Sequence, residues 1–238
     1  MDLEFIAKAE KVASLNLSAA DFQTLQHKKE IQYLFGKNFF PKFDLKKTIK
    51  SIDVVKINAL IKELKSIDNG LFQKLHSYNL KGIGPGETTL FFLVDTAHLG
   101  GGSSAGVDLV AGSKKYEIKT VKVSKDRFVS DFKLGGTVPL SEIMTDLNTL
   151  REQMKLGGSK TEMSGAIIAE MVSKNPAAYA EIEKSFRAKA YEYFKNHEVI
   201  FINNGSNLGN IEAVAYIDAD QIFIERVTSG TVKPKIKL

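Results

Sequence analysis

The chain has no cysteine and no tryptophan. Without thiols it forms no disulfides, has no thiol nucleophile and holds no cysteine-ligated zinc or iron–sulfur site, a composition that suits the cytosol. No apolar run approaches the roughly 18 residues of a membrane span, so no membrane is expected as a partner. The opening residues, MDLEFIAKAEKV, set charges among their apolar positions and do not read as a signal peptide. The expected location is cytoplasmic, or the host cytoplasm if the protein is viral. Other absences narrow the chemistry. Gly82-x-Gly84-x-Gly86 lacks the spacing of a dinucleotide loop and the Gly-Lys-Ser/Thr of an ATP-binding loop. Ser103 and Ser104 have no recognisable base nearby in sequence. The four histidines (His27, His76, His98, His197) are scattered and show no metal-ligand pairing. No internal repeat is evident.

What is present is the composition of a folded protein, 43% hydrophobic and 26% charged. The net charge of +5 favours a polyanionic partner without requiring one. Its distribution says more: Lys114–Lys133 holds seven basic residues against three acidic ones.

Residues 1–80 read as helical. Ser18 and Asp21 cap FQTLQHKKEIQYLF, and Asp53 caps VVKINALIKELK, whose Ile57, Leu60, Ile61 and Leu64 share one face. Asp68-Asn69-Gly70 is a turn signal. Phe39, Phe40 and Phe43, set among lysines, suit a core plug better than a base-stacking patch. After the glycine-rich entry KGIGPG, the spacing of ETTLFFLVDTAHL predicts a helix, and LGGGSSAG a flexible connection. Two strands follow, VDLVA and YEIKTVKV, joined by a Gly112-Ser113 turn. Helices are expected at 139–155, at about 162–173, and after the Asn175-Pro176 start signal. VIFIN, IEAVAYI and QIFIERV read as strands and KPKIKL as a basic tail. The expected fold is α/β: an N-terminal helical appendage over 1–80, then a core over 81–238 with a central mixed sheet flanked by helices.

The hairpin holds an anomaly. A two-residue turn pairs positions that sum to 225, which sets Asp108 opposite Glu117. Directly opposed residues share a face, with Cβ atoms roughly 4.5–5.5 Å apart. Lys119, two residues on, projects from the same face. Opposed carboxylates repel, so something must compensate: a protonated acid, an ion pair with Lys119, or a divalent cation between the acids. An oxygen-rich site suits Mg²⁺ or Mn²⁺. Glu87 adds a third carboxylate on the stripe of Leu90, Phe91 and Val94, where an uncompensated charge is costly. The helix dipole alone also favours an acid in a first turn.

Glu87, Asp108 in VDLVA and Glu117-Ile118-Lys119 in YEIK together resemble the PD-(D/E)XK nucleases. That superfamily includes restriction enzymes, Holliday-junction resolvases and phage exonucleases. Val107 stands where many members carry proline. The resemblance implies a restriction-endonuclease-like core and a Mg²⁺-dependent deoxyribonuclease, for which Mn²⁺ can substitute. Glu87, Asp108, Glu117 and the Ile118 carbonyl would hold the metal, and Lys119 would orient or activate the attacking water. Lys122, Lys125 and Arg127 would bind DNA phosphates, which would make binding salt-dependent. DNA is the expected partner, and a homodimer is allowed for. The alternative is a nucleic-acid-binding or virion-associated structural protein that keeps the fold without cleavage.

Overall fold

A computed structural model describes residues 47, 49–76, 84, 86–102, 107–124, 127–129, 134, 138 and 140–238. The Ser18/Asp21 cap with its helix, Phe39, Phe40 and Phe43, and Lys125 lie outside these residues, as does the side chain of Arg127. The chain forms two compact units: Met1–Ile118 with His197–Val214, and Lys119–Asn196 with Ala215–Leu238. Among the described residues no helix is long and apolar enough to cross a membrane.

The first unit carries a mixed five-stranded sheet with helices packed on it. Helix α1 (Val54–His76) starts at the expected cap, where the Asp53 carboxylate accepts the Lys56 N–H at 3.0 Å. At Asp68 the helix kinks (φ −158°, ψ 97°), and the Asp68 side chain caps a second helical stretch by accepting from Leu71 N–H at 2.9 Å. The turn signal at Asp68 thus produces a break inside a helix, not a loop. Ile57, Leu60, Ile61, Leu64, Phe72 and Leu75 are buried with Leu90, Phe91, Leu109, Ile200 and Ile202 in one core. One face of α1 thus packs into the core of the first unit.

Helix α2 (Glu87–Leu93) is shorter than its spacing predicts, and every residue of it is buried. It stops where Ile49 pairs with Val94 in a parallel bridge. The chain then enters β1 (Ala97–Gly102), which pairs antiparallel with β2 (Val107–Ala111). His98 is an exposed strand residue, and Gly100–Gly102 belong to a strand and not to a slack connection. The glycines permit an unusually close approach. A Cβ on Gly100 would sit 2.1 Å from the Val107 carbonyl oxygen, beside a bulge between Leu99 and Gly102.

Strand β2 turns into β3 (Lys114–Ser124) through Gly112-Ser113. Its partners are Leu109 with Tyr116, Val110 with Lys115 and Ala111 with Lys114, the expected register. Gly112 has φ +63°, a conformation that a leading turn glycine supplies without strain. Beyond β3 in this sheet lie β5 (Glu198–Asn203) and then β6 (Ile211–Ala215). Asn58 of α1 ties the outer strand by donating to the Ile211 carbonyl and accepting from its N–H, both at 2.8 Å.

The second unit contains the distal half of β3, followed in order by β4 (Arg127–Val129), β8 (Thr231–Lys237) and β7 (Ile222–Thr228). Helices α3 (Ser141–Gln153), α4 (Gly165–Lys174) and α5 (Pro176–Phe194) complete it. Asn175 caps α5 as expected, accepting from Ala178 N–H at 3.2 Å. The segment KPKIKL is not a tail: all but its last residue lies within β8, paired on both sides, with Pro234 and Ile236 buried. In the seam between α5 and β7, Glu183 accepts from Arg187 and the Tyr179 hydroxyl. Burial there pushes the Tyr179 phenol far above its ordinary pKa.

The Gly100 contact gives a direct test. Gly100→Ala must push a backbone carbonyl aside, and overpacking of that kind costs about 1–3 kcal/mol. Urea unfolding should show at least about 1 kcal/mol of lost stability, whereas an unchanged midpoint would contradict the close β1–β2 approach.

Candidate functional site

The paired residues of the hairpin end at Leu109–Tyr116, one step short of Asp108 and Glu117. Asp108 is half-buried, and its Oδ2 accepts the Ile118 N–H at 2.8 Å. The carboxylate thus serves a backbone donor on the facing strand, a charge-assisted bond stronger than a neutral one. Ile118 meets Asp108 through its N–H, whereas the sequence reading gives its carbonyl a role. Removing the acceptor would strand a backbone donor on a residue only 7% exposed.

Glu117 is 3% exposed. Its Oε2 lies 4.0 Å from Nε2 of His197, itself buried and set just before β5. Next to this pair, Lys114 Nζ and Glu198 Oε1 form a 2.6 Å ion pair at the surface. The sequence shows no metal-ligand pairing among its four scattered histidines, and His197 lies 80 residues from Glu117. Only the pairing of β3 with β5 brings the two elements together.

Glu87 is 7% exposed and reaches backwards: its Oε1 accepts the Gly84 N–H at 2.6 Å. A Cβ on Gly84 would come within 2.7 Å of that oxygen, so glycine makes room for the contact. Gly86, at φ +91°, delivers the chain into the helix. In this geometry Glu87 closes the turn before its own helix, and the buried acid obtains a donor locally.

Lys119 belongs to the second unit. Its Nζ donates to the Tyr193 hydroxyl at 2.8 Å and lies 5.1 Å from that ring's centre. Tyr193, near the end of α5, carried no sequence signal beyond its place on the helix. Lys122 is exposed on β3. The Arg127 backbone pairs in β4.

The donors available at the hairpin are carboxylates, which fit a hard divalent cation. Among the described residues, however, no three His, Asp or Glu side chains converge closely enough to hold an ion. Asp108 accepts from the Ile118 N–H and Glu87 from the Gly84 N–H. No family model, curated protein or solved structure matches the chain.

A second buried histidine lies in the same unit. His76 is 2% exposed, stacks on Phe72 with ring centres 6.0 Å apart, and neither ring nitrogen has a hydrogen-bond partner. Burial, helped by the nearby Lys65 charge, lowers its pKa from 6.5 to about 4. The folded state resists the proton that the unfolded chain accepts. Stability is complete above pH 6.5 and declines as pH falls from 6.5 towards 4. The 2.5-unit difference corresponds to about 3 kcal/mol at most. Urea unfolding at pH 7.5 and pH 5 should show His76→Phe losing markedly less stability on acidification than the native chain. Equal losses would show that His76 is not the group responsible.

Proposed function

We propose that the protein is a divalent-metal-dependent deoxyribonuclease, hydrolysing phosphodiester bonds at the β2–β3 hairpin. What supports this reading is the hairpin, whose glycine-led turn and Leu109–Tyr116, Val110–Lys115 and Ala111–Lys114 pairs would, continued by one step, set Asp108 across from Glu117. Opposed acids destabilise a strand pair, so their placement in a buried sheet calls for a compensating positive charge. Asp108 and Glu117 would hold the cation, with the Ile118 carbonyl and Glu87 completing its surroundings. Glu87 would first have to release the Gly84 N–H. Mg²⁺, or Mn²⁺ in its place, would supply Lewis acidity to the phosphate oxygens and lower the pKa of a water.

The chain's own groups do the rest. Lys119, two residues after Glu117 in β3, would orient water and offset charge growing on the phosphate. The Tyr193 hydroxyl holds that ammonium in place. Lys122 presents an exposed cation farther along the strand, suited to a backbone phosphate. Lys125 and Arg127 would extend that surface. The restriction-endonuclease-like reading of the core rests on the same hairpin and on the mixed sheet around it. Nothing in this set reads base edges, so the proposal specifies DNA without a target sequence.

One observation favours a second reading. Among the described residues no three-donor group is assembled, as expected of a nucleic-acid-binding or virion-associated structural protein that keeps the architecture without cleavage. Plasmid nicking separates the two. The nuclease reading predicts cleavage with Mg²⁺ and none with chelator. It further predicts a fall of about 10²–10³-fold in Lys119→Ala, with DNA binding retained. Binding without cleavage under Mg²⁺ and Mn²⁺ would overturn the enzyme in favour of the structural protein.

A further inference from the structure

We propose that the sheet face of the second unit carrying Phe223, Lys235 and Lys237 binds the phosphodiester backbone of duplex DNA. This deepens the deoxyribonuclease reading and rests on it for the identity of the partner, though not for cleavage. Strands β7 and β8 alternate in burial. Ile222, Ile224, Val232 and Ile236 are buried, and helices α4 and α5 pack against β7. The intervening residues pair as Phe223 with Lys235 and Arg226 with Lys233. Together the two strands carry four cations (Arg226, Lys233, Lys235, Lys237) against one acid, Glu225. The ladder continues this row across the sheet: Val129 of β4 pairs with Lys235 on one side and with Lys122 of β3 on the other. Directly paired residues share a face, so Lys122, Lys235 and Phe223 stand on the same side.

The Phe223 ring gathers the charge. Arg187 of α5 places its Cζ 4.3 Å from the ring centre, and Lys237 and Lys235 place their Nζ atoms at 5.0 and 6.0 Å. A ring face attracts cations without cancelling their charge, so three like charges remain to repel one another. Glu183 pairs with Arg187 at 3.1 Å and Glu225 faces Lys235 at 3.7 Å. No carboxylate of the described residues pairs with Lys237. A bound anion would relieve the repulsion that is left. Lys122 is exposed, whereas Phe223, Lys235 and Lys237 are half-buried. Strands two apart in a sheet are separated by about 9.6 Å, so a chain of phosphates meets Lys122 and Lys235 together more readily than a small anion does. The ring is taken up by its cations and offers bases no stacking platform. That favours a duplex held by its backbone over a single strand held by its bases.

The experiment titrates the full chain into a fluorescein-labelled duplex of mixed sequence, with chelator present so that nothing is cut, and reads anisotropy at several salt concentrations. The double variant Lys235→Gln/Lys237→Gln should bind at least about tenfold more weakly at about 0.1 M salt, and its salt slope should fall by about 1.8, the share of two phosphate contacts. Lys235→Arg/Lys237→Arg keeps the charge and should bind as the native chain does. Circular dichroism checks the fold of both variants. If the glutamine variant is unfolded, the native chain decides: the duplex should shield Lys235 and Lys237 from acetylation by an amine-reactive reagent, read by mass spectrometry. Native-like binding by the folded glutamine variant, or acetylation unchanged by DNA, would overturn this surface and leave the nuclease reading standing. Displacement of the duplex by inorganic phosphate at matched ionic strength would assign the cluster to a small anion and overturn the proposal. Failure of the native chain to bind duplex DNA even at low salt would overturn both.

Discussion

The site depends on a two-residue turn. Gly112 takes a left-handed conformation that fixes which residues of β2 and β3 face each other, and a slip of one residue would move every side chain to the opposite face. Continued one step past Leu109–Tyr116, that register would set Asp108 across from Glu117, and the Ile118 N–H lies within reach of the Asp108 carboxylate. That bond ties the two strands through a side chain. It gives the acid a structural duty in addition to any chemical one, which makes Asn, with its retained acceptor oxygen, the informative substitution at this position.

Around the hairpin, each candidate group is engaged by a neighbour of its own: Asp108 by Ile118, Glu87 by Gly84, Lys119 by Tyr193. These contacts lessen the cost of placing charge in a buried sheet. They also hold the acids short of a common focus, consistent with the lack of a three-donor group among the described residues. Loading a cation would exchange some of these bonds for ligand bonds.

The parts of the fold legible in sequence are those governed by local rules. The Gly-Ser turn, the Asp53 cap and the Asn175-Pro176 start signal each express a preference of a few neighbouring residues, and each stands where expected. What escaped sequence reading depends on contacts from elsewhere in the chain. Strand β1 reads as slack because glycines predict flexibility, yet Gly100 is required by the Val107 carbonyl pressed against it. The KPKIKL strand reads as a tail because lysine and proline are poor strand formers. It is held because β4 and β7 flank it and bury Val232 and Ile236. At the site, the carboxylates were visible from hairpin arithmetic, whereas His197 was not, since nothing local links it to Glu117.

The central claim, that the hairpin acids are placed to share a divalent cation, is tested most directly by diffraction from crystals soaked in Mn²⁺. The account predicts an anomalous peak about 2.2 Å from the Glu117 carboxylate, with Asp108 turned towards it. A peak at a different position, or none at millimolar Mn²⁺ with the hairpin well ordered, would contradict it.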